Sequence, residues 1–224
     1  MAHARTLNEQ SADLYSDFKD FIVAKDHPCV MAQTVFSMDA VTLKEYPSFG
    51  TRSTAAHILS DLKEYLDTCD FEANTFQTFI ATFPDVDVFS EIEFEKLLWQ
   101  QLQFIHEADT QNWDSAVSKD PDDPSFSFSI GGTAFYIVGM HPKSSRKARR
   151  APVVTLVFNL HWQFDKLREM GTYQRVRDTI RRRDKTLQGS VNPVLKDFGE
   201  ESEARQYSGR HVEAAWKCPF HASH

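Results

Sequence analysis

The chain is poor in several things, and each shortage excludes a class. It has three cysteines in 224 residues, Cys29, Cys69 and Cys218, too few and too scattered for a disulfide scaffold. No apolar run approaches the ~20 residues a membrane helix needs, and the polar start over residues 1–10 has no signal-peptide core. The cytoplasm is therefore the expected compartment, with no membrane partner. There is no internal repeat and no obvious domain linker. The HExxH, CxxC, GxSxG, GxGxxG and GxxxxGK signatures are all missing. That removes the common sequence routes to a zinc peptidase, a serine hydrolase, a dinucleotide enzyme or a phosphate-loop enzyme. The CxxCH motif of covalent haem attachment is absent too.

What remains is globular. Hydrophobic residues make up 41% and aromatics 12%, with 18 Phe, against 25% charged residues. This length can bury roughly 70% of the unfolded chain's surface without a staple. The net charge of -7 hides an asymmetry: the first 140 residues carry -15 and the remainder +8. A basic half can face an acidic half, an anionic ligand or nucleic acid. No nucleic-acid recognition motif accompanies the charge, so nucleic acid is not expected as a partner.

Periodicity predicts a helix over 11–24 with Leu14, Phe18, Phe21 and Ile22 on one face, stopped by Asp26-His27-Pro28. A strand is expected over 29–38, a helix over 53–69 capped by Ser53, and a short strand over 75–82. Ser90 with Glu93 forms a capping box for a helix over 91–108. Strands follow at 125–130, 134–140 and 153–158, with Gly131-Gly132 as a turn. Helices are expected at 162–170 and 173–187, then an irregular tail from about 189 that docks back through Trp216, Cys218 and Phe220. The expected fold is α+β: one domain with a largely antiparallel sheet covered by helices.

Three stretches concentrate unusual chemistry. In the first, His141 ends an apolar strand and Arg146, Arg149 and Arg150 follow in its loop, a histidine beside a candidate anion clamp. One of the three arginines is expected to be structural or solvated. In the second, Asn159, His161 and Gln163 bring polar groups into an apolar segment; they form either a structural network or a pocket lining. In the third, the arginine run 181–183 reads as a solvated helix face, and 188–193 as an ordered loop. His106, Asp109 and Asp114 are a weak metal-site pattern, and Cys29 near His27 a weak catalytic pair.

These residues also carry a resemblance. The runs GMHPKSSRKARR, LVFNLHWQFDKLR, IRRRDKTLQGSVNP, SEARQYSGR and WKCPF, with WDSAVSKDPDDPSFSFSIGG and the early Asp-His-Pro-Cys-Val, resemble the YqcI/YcgG family. The likeness is closest to its haem-dependent guanidine N-hydroxylases, of the guanitoxin and D-cycloserine biosynthesis type. The resemblance implies haem b as cofactor and hydroxylation of a nitrogen of arginine, or of an arginine-derived guanidine or amine, with dioxygen and an electron donor. With that cofactor, at least one of Arg146, Arg149 and Arg150 is expected to touch a haem propionate, and His141 to ligate the iron, narrowly ahead of His161, with Cys218 and Cys29 as alternatives. His161, Asn159 and Gln163 become candidate catalytic residues, and Asp109, Asp114 and Glu203 candidate clamps for the cation. Two other readings stay open: a haem carrier or sensor without turnover, and a family member that binds no haem. A homodimer is also left open.

Overall fold

The computed structural model describes residues 7–72, 75–193 and 196–223, with side chains from residue 13 onward; part of the polar start, residues 1–6, lies outside the described residues. Five strands form one sheet in the order β1-β2-β5-β4-β3. They are β1 (Val41–Glu45), β2 (Thr78–Phe83), β3 (Phe128–Ile130), β4 (Thr133–Met140) and β5 (Val154–Leu160). Only the β1–β2 pair is parallel; the other three pairs are antiparallel. Gly131 and Gly132, both with positive φ, turn β3 into β4, as a tight hairpin turn requires. Among the described residues, six helices cover the sheet: α1 (Leu7–Lys19), α2 (Val30–Ser37), α3 (Arg52–Asp67), α4 (Glu91–Ala108), α5 (Trp162–Glu169) and α6 (Tyr173–Gln188). The fold is a single α+β domain, as expected. Among the described residues, no helix is long and apolar enough to cross a membrane.

Two local expectations fail, each for a physical reason. Residues 29–38 form helix α2 rather than a strand. Cys29 caps it, its Sγ accepting from the Ala32 amide at 3.4 Å. Ala32, Val35 and Phe36, spaced three and one apart, pack on α1 and the sheet, so the period is helical and not two. Strand β1 was not expected at all. It sits half-buried at the sheet edge, and its Val41-Thr42-Leu43-Lys44 alternation is broken at Glu45 after four residues, too short a run to stand out. The capping box of α4 is present as read: Ser90 Oγ accepts from Glu93 N, and Glu93 Oε2 accepts from Phe89 N. Thr51, not Ser53, caps α3.

Side chains along each strand alternate between two faces. Phe79 of β2, Phe135 and Ile137 of β4, and Phe158 and Leu160 of β5 point to α3 and α4 and form the larger core. Ile80 of β2, Val138 and Met140 of β4, and Val157 of β5 point to the opposite face, under α1 and α2. The tail reaches the first face, where Phe220 packs among Trp113, Phe126 and Phe128. Gly139 is needed on that face. A Cβ there would lie 2.5 Å from Leu98 Cδ1 and 2.7 Å from the Tyr207 carbonyl, and the Gly139 amide donates to that same carbonyl at 2.7 Å.

Candidate functional site

The second face is not filled. Between the sheet, α1 with the π-helical turn that extends it (Asp20–Ala24), α2, α5 and α6 lies a cavity of about 340 Å³, within the size range of small-molecule and cofactor sites. Its sheet wall is apolar: Ile80, Val138, Met140 and Val157, faced by Ile22 and Phe36. Polar groups gather towards the end where β5 runs into α5. There the wall includes Tyr136, Asn159, His161, Glu203 and Gln206.

Strand parity decides which histidine reaches this space. His161 follows β5 in step with Val157 and Asn159, on the cavity side, and its amide extends the ladder to the Ala134 carbonyl. His141 follows β4 in step with Phe135, Ile137 and Gly139, on the packed side. Its ring lies 4.5 Å from that of Phe94 in α4, it does not line the cavity, and neither ring nitrogen has a partner among the described residues. The pairing of Phe135 with Leu160 and of Met140 with Thr155 also sets the two histidines at opposite ends of the strand pair.

Within the cavity wall, His161 has its Nδ1 3.4 Å from Asp165 Oδ2, one turn on, while Arg168 donates to the other oxygen of Asp165 at 2.5 Å. Phe198 meets the imidazole edge-on at 4.6 Å. Burial pushes its pKa down, and Asp165 offsets part of that. With Asp165 on the Nδ1 side, the tautomer this pair favours in the neutral ring has its proton on Nδ1. Nε2 keeps its lone pair and has no partner among the described residues. His27, the other cavity histidine, is fully committed. Its Nε2 donates to the Ala148 carbonyl at 2.9 Å and its Nδ1 accepts from the Cys29 amide at 3.2 Å. The Cys29 thiol sits in the wall as a helix cap, with its pKa raised by burial, so Cys29 and His27 form no thiolate pair.

The other expected residues separate. Asn159 and Gln163 line the cavity but hold backbone: Asn159 Nδ2 donates to the Tyr136 carbonyl, and Gln163 bonds both the amide and the carbonyl of Gln77. Of the arginine loop, Arg146 and Arg149 reach the wall and Arg150 does not. Arg146 is paired with Asp184 of α6 at 2.5 Å. Arg149 donates to the carbonyls of Gly139 and Gln206 and forms no ion pair among the described residues; burial lowers its pKa. Cys218 lies in the packed core, its thiol pushed up to about 12 by burial. Asp109 accepts from the Gly131 amide and Asp114 from the Ala134 amide, so both shape turns away from the cavity. His106 accepts from the Ser223 amide. Among the described residues, no three His, Cys, Asp or Glu side chains converge as a metal site.

Sequence reasoning missed the inner face of α6. Val176, Arg177, Ile180, Arg181 and Asp184 all line the cavity. Their spacing of one, three and four was legible in the sequence, but the charge of the arginine run obscured it. Arg177 and Arg181 both hold Asp197, and Lys196 lines the wall beside it. With Arg146, Arg149 and Arg168, the described lining carries six basic side chains against Asp184, Asp197 and Glu203.

The sequence is 23% identical to "Uncharacterized protein YqcI" of Bacillus subtilis (strain 168) over 224 residues, covering 96% of this chain and 84% of that protein. No solved structure matches it significantly. The family model described as the YqcI/YcgG family matches residues 18–221, nearly the whole of the described fold, and the chain therefore belongs to the YqcI/YcgG family.

Proposed function

We propose that the cavity holds a b-type haem and that the protein is a haem-dependent N-oxygenase, acting on a nitrogen of a small guanidine or amine. One observation carries the reading: His161 presents at the cavity wall an Nε2 with no partner among the described residues, with Asp165 behind its Nδ1. A carboxylate on the far nitrogen fixes the tautomer and raises the basicity of a metal-binding imidazole. Among the described residues, the wall offers one imidazole nitrogen without a partner rather than a set of metal ligands. That would suit a group which brings its own four nitrogen ligands and needs one more from the protein, which His161 would supply.

The remaining walls fit the same group. Ile80, Val138, Met140 and Val157 offer an apolar surface, and the excess of basic side chains favours an anionic ligand such as a pair of propionates. Lys196, which forms no ion pair among the described residues, is the cation for that edge, and Arg177 and Arg181 add surplus charge because the two share the single carboxylate of Asp197; Arg146 is matched by Asp184 and Arg149 is held by backbone carbonyls. When bound, haem supplies the dioxygen chemistry that hydroxylation of nitrogen needs, with electrons from a separate donor. The chain's own work is to hold His161 neutral through burial, to aim it through Asp165, which Arg168 steadies, and to keep water from the apolar wall.

The test is a hemin titration of wild type and His161→Ala, followed by incubation of the reduced holoprotein with arginine-derived guanidines under dioxygen. Wild type should develop a Soret band, His161→Ala should bind hemin at least ~100-fold more weakly, and the product should gain one oxygen. Wild type that stays colourless overturns the haem reading. Haem bound without any oxygenated product makes the protein a carrier or sensor.

A further inference from the structure

Glu203 is the odd residue in the cavity wall. It opens a short 3-10 turn (Glu203–Gln206) capped by Ser202 and is 4% exposed. Its Oε1 is saturated, accepting from Tyr207 Oη at 2.6 Å and from Ser127 Oγ at 2.7 Å. The Phe128 amide donates to Tyr207 Oη at 3.0 Å, so the phenol proton is left for Glu203. Oε2 has no partner among the described residues, on a side chain that lines the cavity.

Both charge states of this group are therefore incomplete. The carboxylate would be buried without a counter-ion. The neutral acid would hold a proton on Oε2 with nothing to receive it. A buried polar group left in this condition costs free energy that a partner would recover. The charged and titratable groups facing it do not supply that partner. Arg168 of α5 is engaged by Asp165, Tyr136 of β4 donates its hydroxyl to Gln206, and Tyr207 is already used. Burial accordingly raises the Glu203 pKa to about 8, and the bonds from Tyr207 and Ser127 hold it from going further.

We propose that Glu203 is the anchor for the cationic group of a small ligand in this cavity, a guanidinium or ammonium whose N–H donates to Oε2. The Tyr136 ring, also in the wall, gives such a cation an aromatic surface. A cation binding here takes the carboxylate form, so one proton leaves Glu203 for solvent as the ligand enters near neutral pH. The inference deepens the proposed function by giving its substrate a specific contact; it depends on the cavity as the ligand site and not on the cofactor.

The experiment is calorimetric titration of haem-loaded wild type, Glu203→Gln and Ser127→Ala with L-arginine and with its uncharged isostere L-citrulline, in two buffers of different protonation enthalpy. Wild type should bind arginine at least about tenfold more tightly than citrulline, with proton release at pH 7. Glu203→Gln should keep its haem but lose the preference and the proton release. Ser127→Ala, which removes one donor to the carboxylate, should shift the rise of arginine affinity with pH to higher pH. Equal binding of the two ligands by wild type, or unchanged arginine binding by Glu203→Gln, overturns the anchor while the Soret band stands. Failure of wild type to bind arginine with haem in place overturns it too. A colourless protein overturns the cofactor instead, and the same titration on that protein still decides Glu203.

Discussion

The two faces of the sheet are built from the same strands and differ in almost everything else. The α3/α4 face is closed by aromatic side chains, including Phe79, Phe94, Phe135, Phe158 and Phe220, all fully or almost fully buried. The opposite face is apolar under α1 and α2 but opens into a cavity whose wall carries His161, Glu203 and six basic side chains. Even the polar groups behave differently. On the packed face His141 is sealed against Phe94, with no partner for either ring nitrogen among the described residues. On the cavity face His161 has a carboxylate on one nitrogen and open space for the other. One face is spent on stability, so unusual residues there have packing explanations. The other keeps groups unpaired at the edge of a space, where a ligand can complete them.

The largest expected contrast lies in the cost of truncation. Leu156→Ala removes a fully buried side chain from the packed face, and should cost towards the upper end of the roughly 2–5 kcal/mol typical of such changes. Ile80→Ala, on the cavity face, should cost towards the lower end, because that side chain already borders empty space. Denaturant unfolding of both variants measures the difference, and equal losses would mean that the cavity wall is as tightly supported as the core.

A pH series sharpens the contrast next. The folded-state pKa of Glu203 is raised, so the native protein binds more protons than the unfolded chain between the two values. Its contribution to stability is full below the unfolded value of 4.5, falls as pH rises, and levels off beyond about 8. In the ligand-free protein, the melting temperature should therefore decline more steeply from pH 5 to 9 in wild type than in Glu203→Gln. Parallel profiles would show that Glu203 does not hold its proton in the native state.

The smallest effect belongs to His141. Its unpartnered nitrogens earn nothing from hydrogen bonding, and replacing such a group by an apolar one of similar size is often close to neutral. His141→Leu should change stability by less than about 1 kcal/mol and leave haem uptake unchanged. A loss of the Soret band in this variant would bring the packed face into the site and break the comparison.

Much of the fold was legible because its signals are local. The capping box at Ser90 and Glu93, the paired glycines at 131 and 132, and the three-to-four spacing in α3 and α4 each depend on a few neighbouring residues. Helix α2 was misread because Cys29 is an uncommon cap and a run rich in valine, threonine and phenylalanine suggests a strand. Edge strand β1 carries only the four-residue alternation Val41-Thr42-Leu43-Lys44, the shortest run that signals a strand.

The sequence by itself determined the α+β class, most element positions and the segments in which unusual chemistry would lie. It also carried the resemblance that the family match supports. Only the tertiary structure decided which of those residues meet. His141 and His161 are equivalent in composition and both end apolar strands. One residue of parity sends them to opposite faces, and where both faces are buried the alternation leaves little trace in the residue types. The loop arginines and the α6 arginines differ only in what lies across from them: backbone carbonyls for Arg149, Asp184 for Arg146, Asp197 for Arg177 and Arg181. Glu203 stands in the sequence as one of three candidate clamps, with nothing local to set it above Asp109 and Asp114. It becomes distinctive when Ser127, 76 positions away, and Tyr207 take one of its oxygens and the cavity leaves the other unmatched. Burial and partnership are long-range properties, and a carboxyl group's charge, proton and use follow from them rather than from its neighbours along the chain.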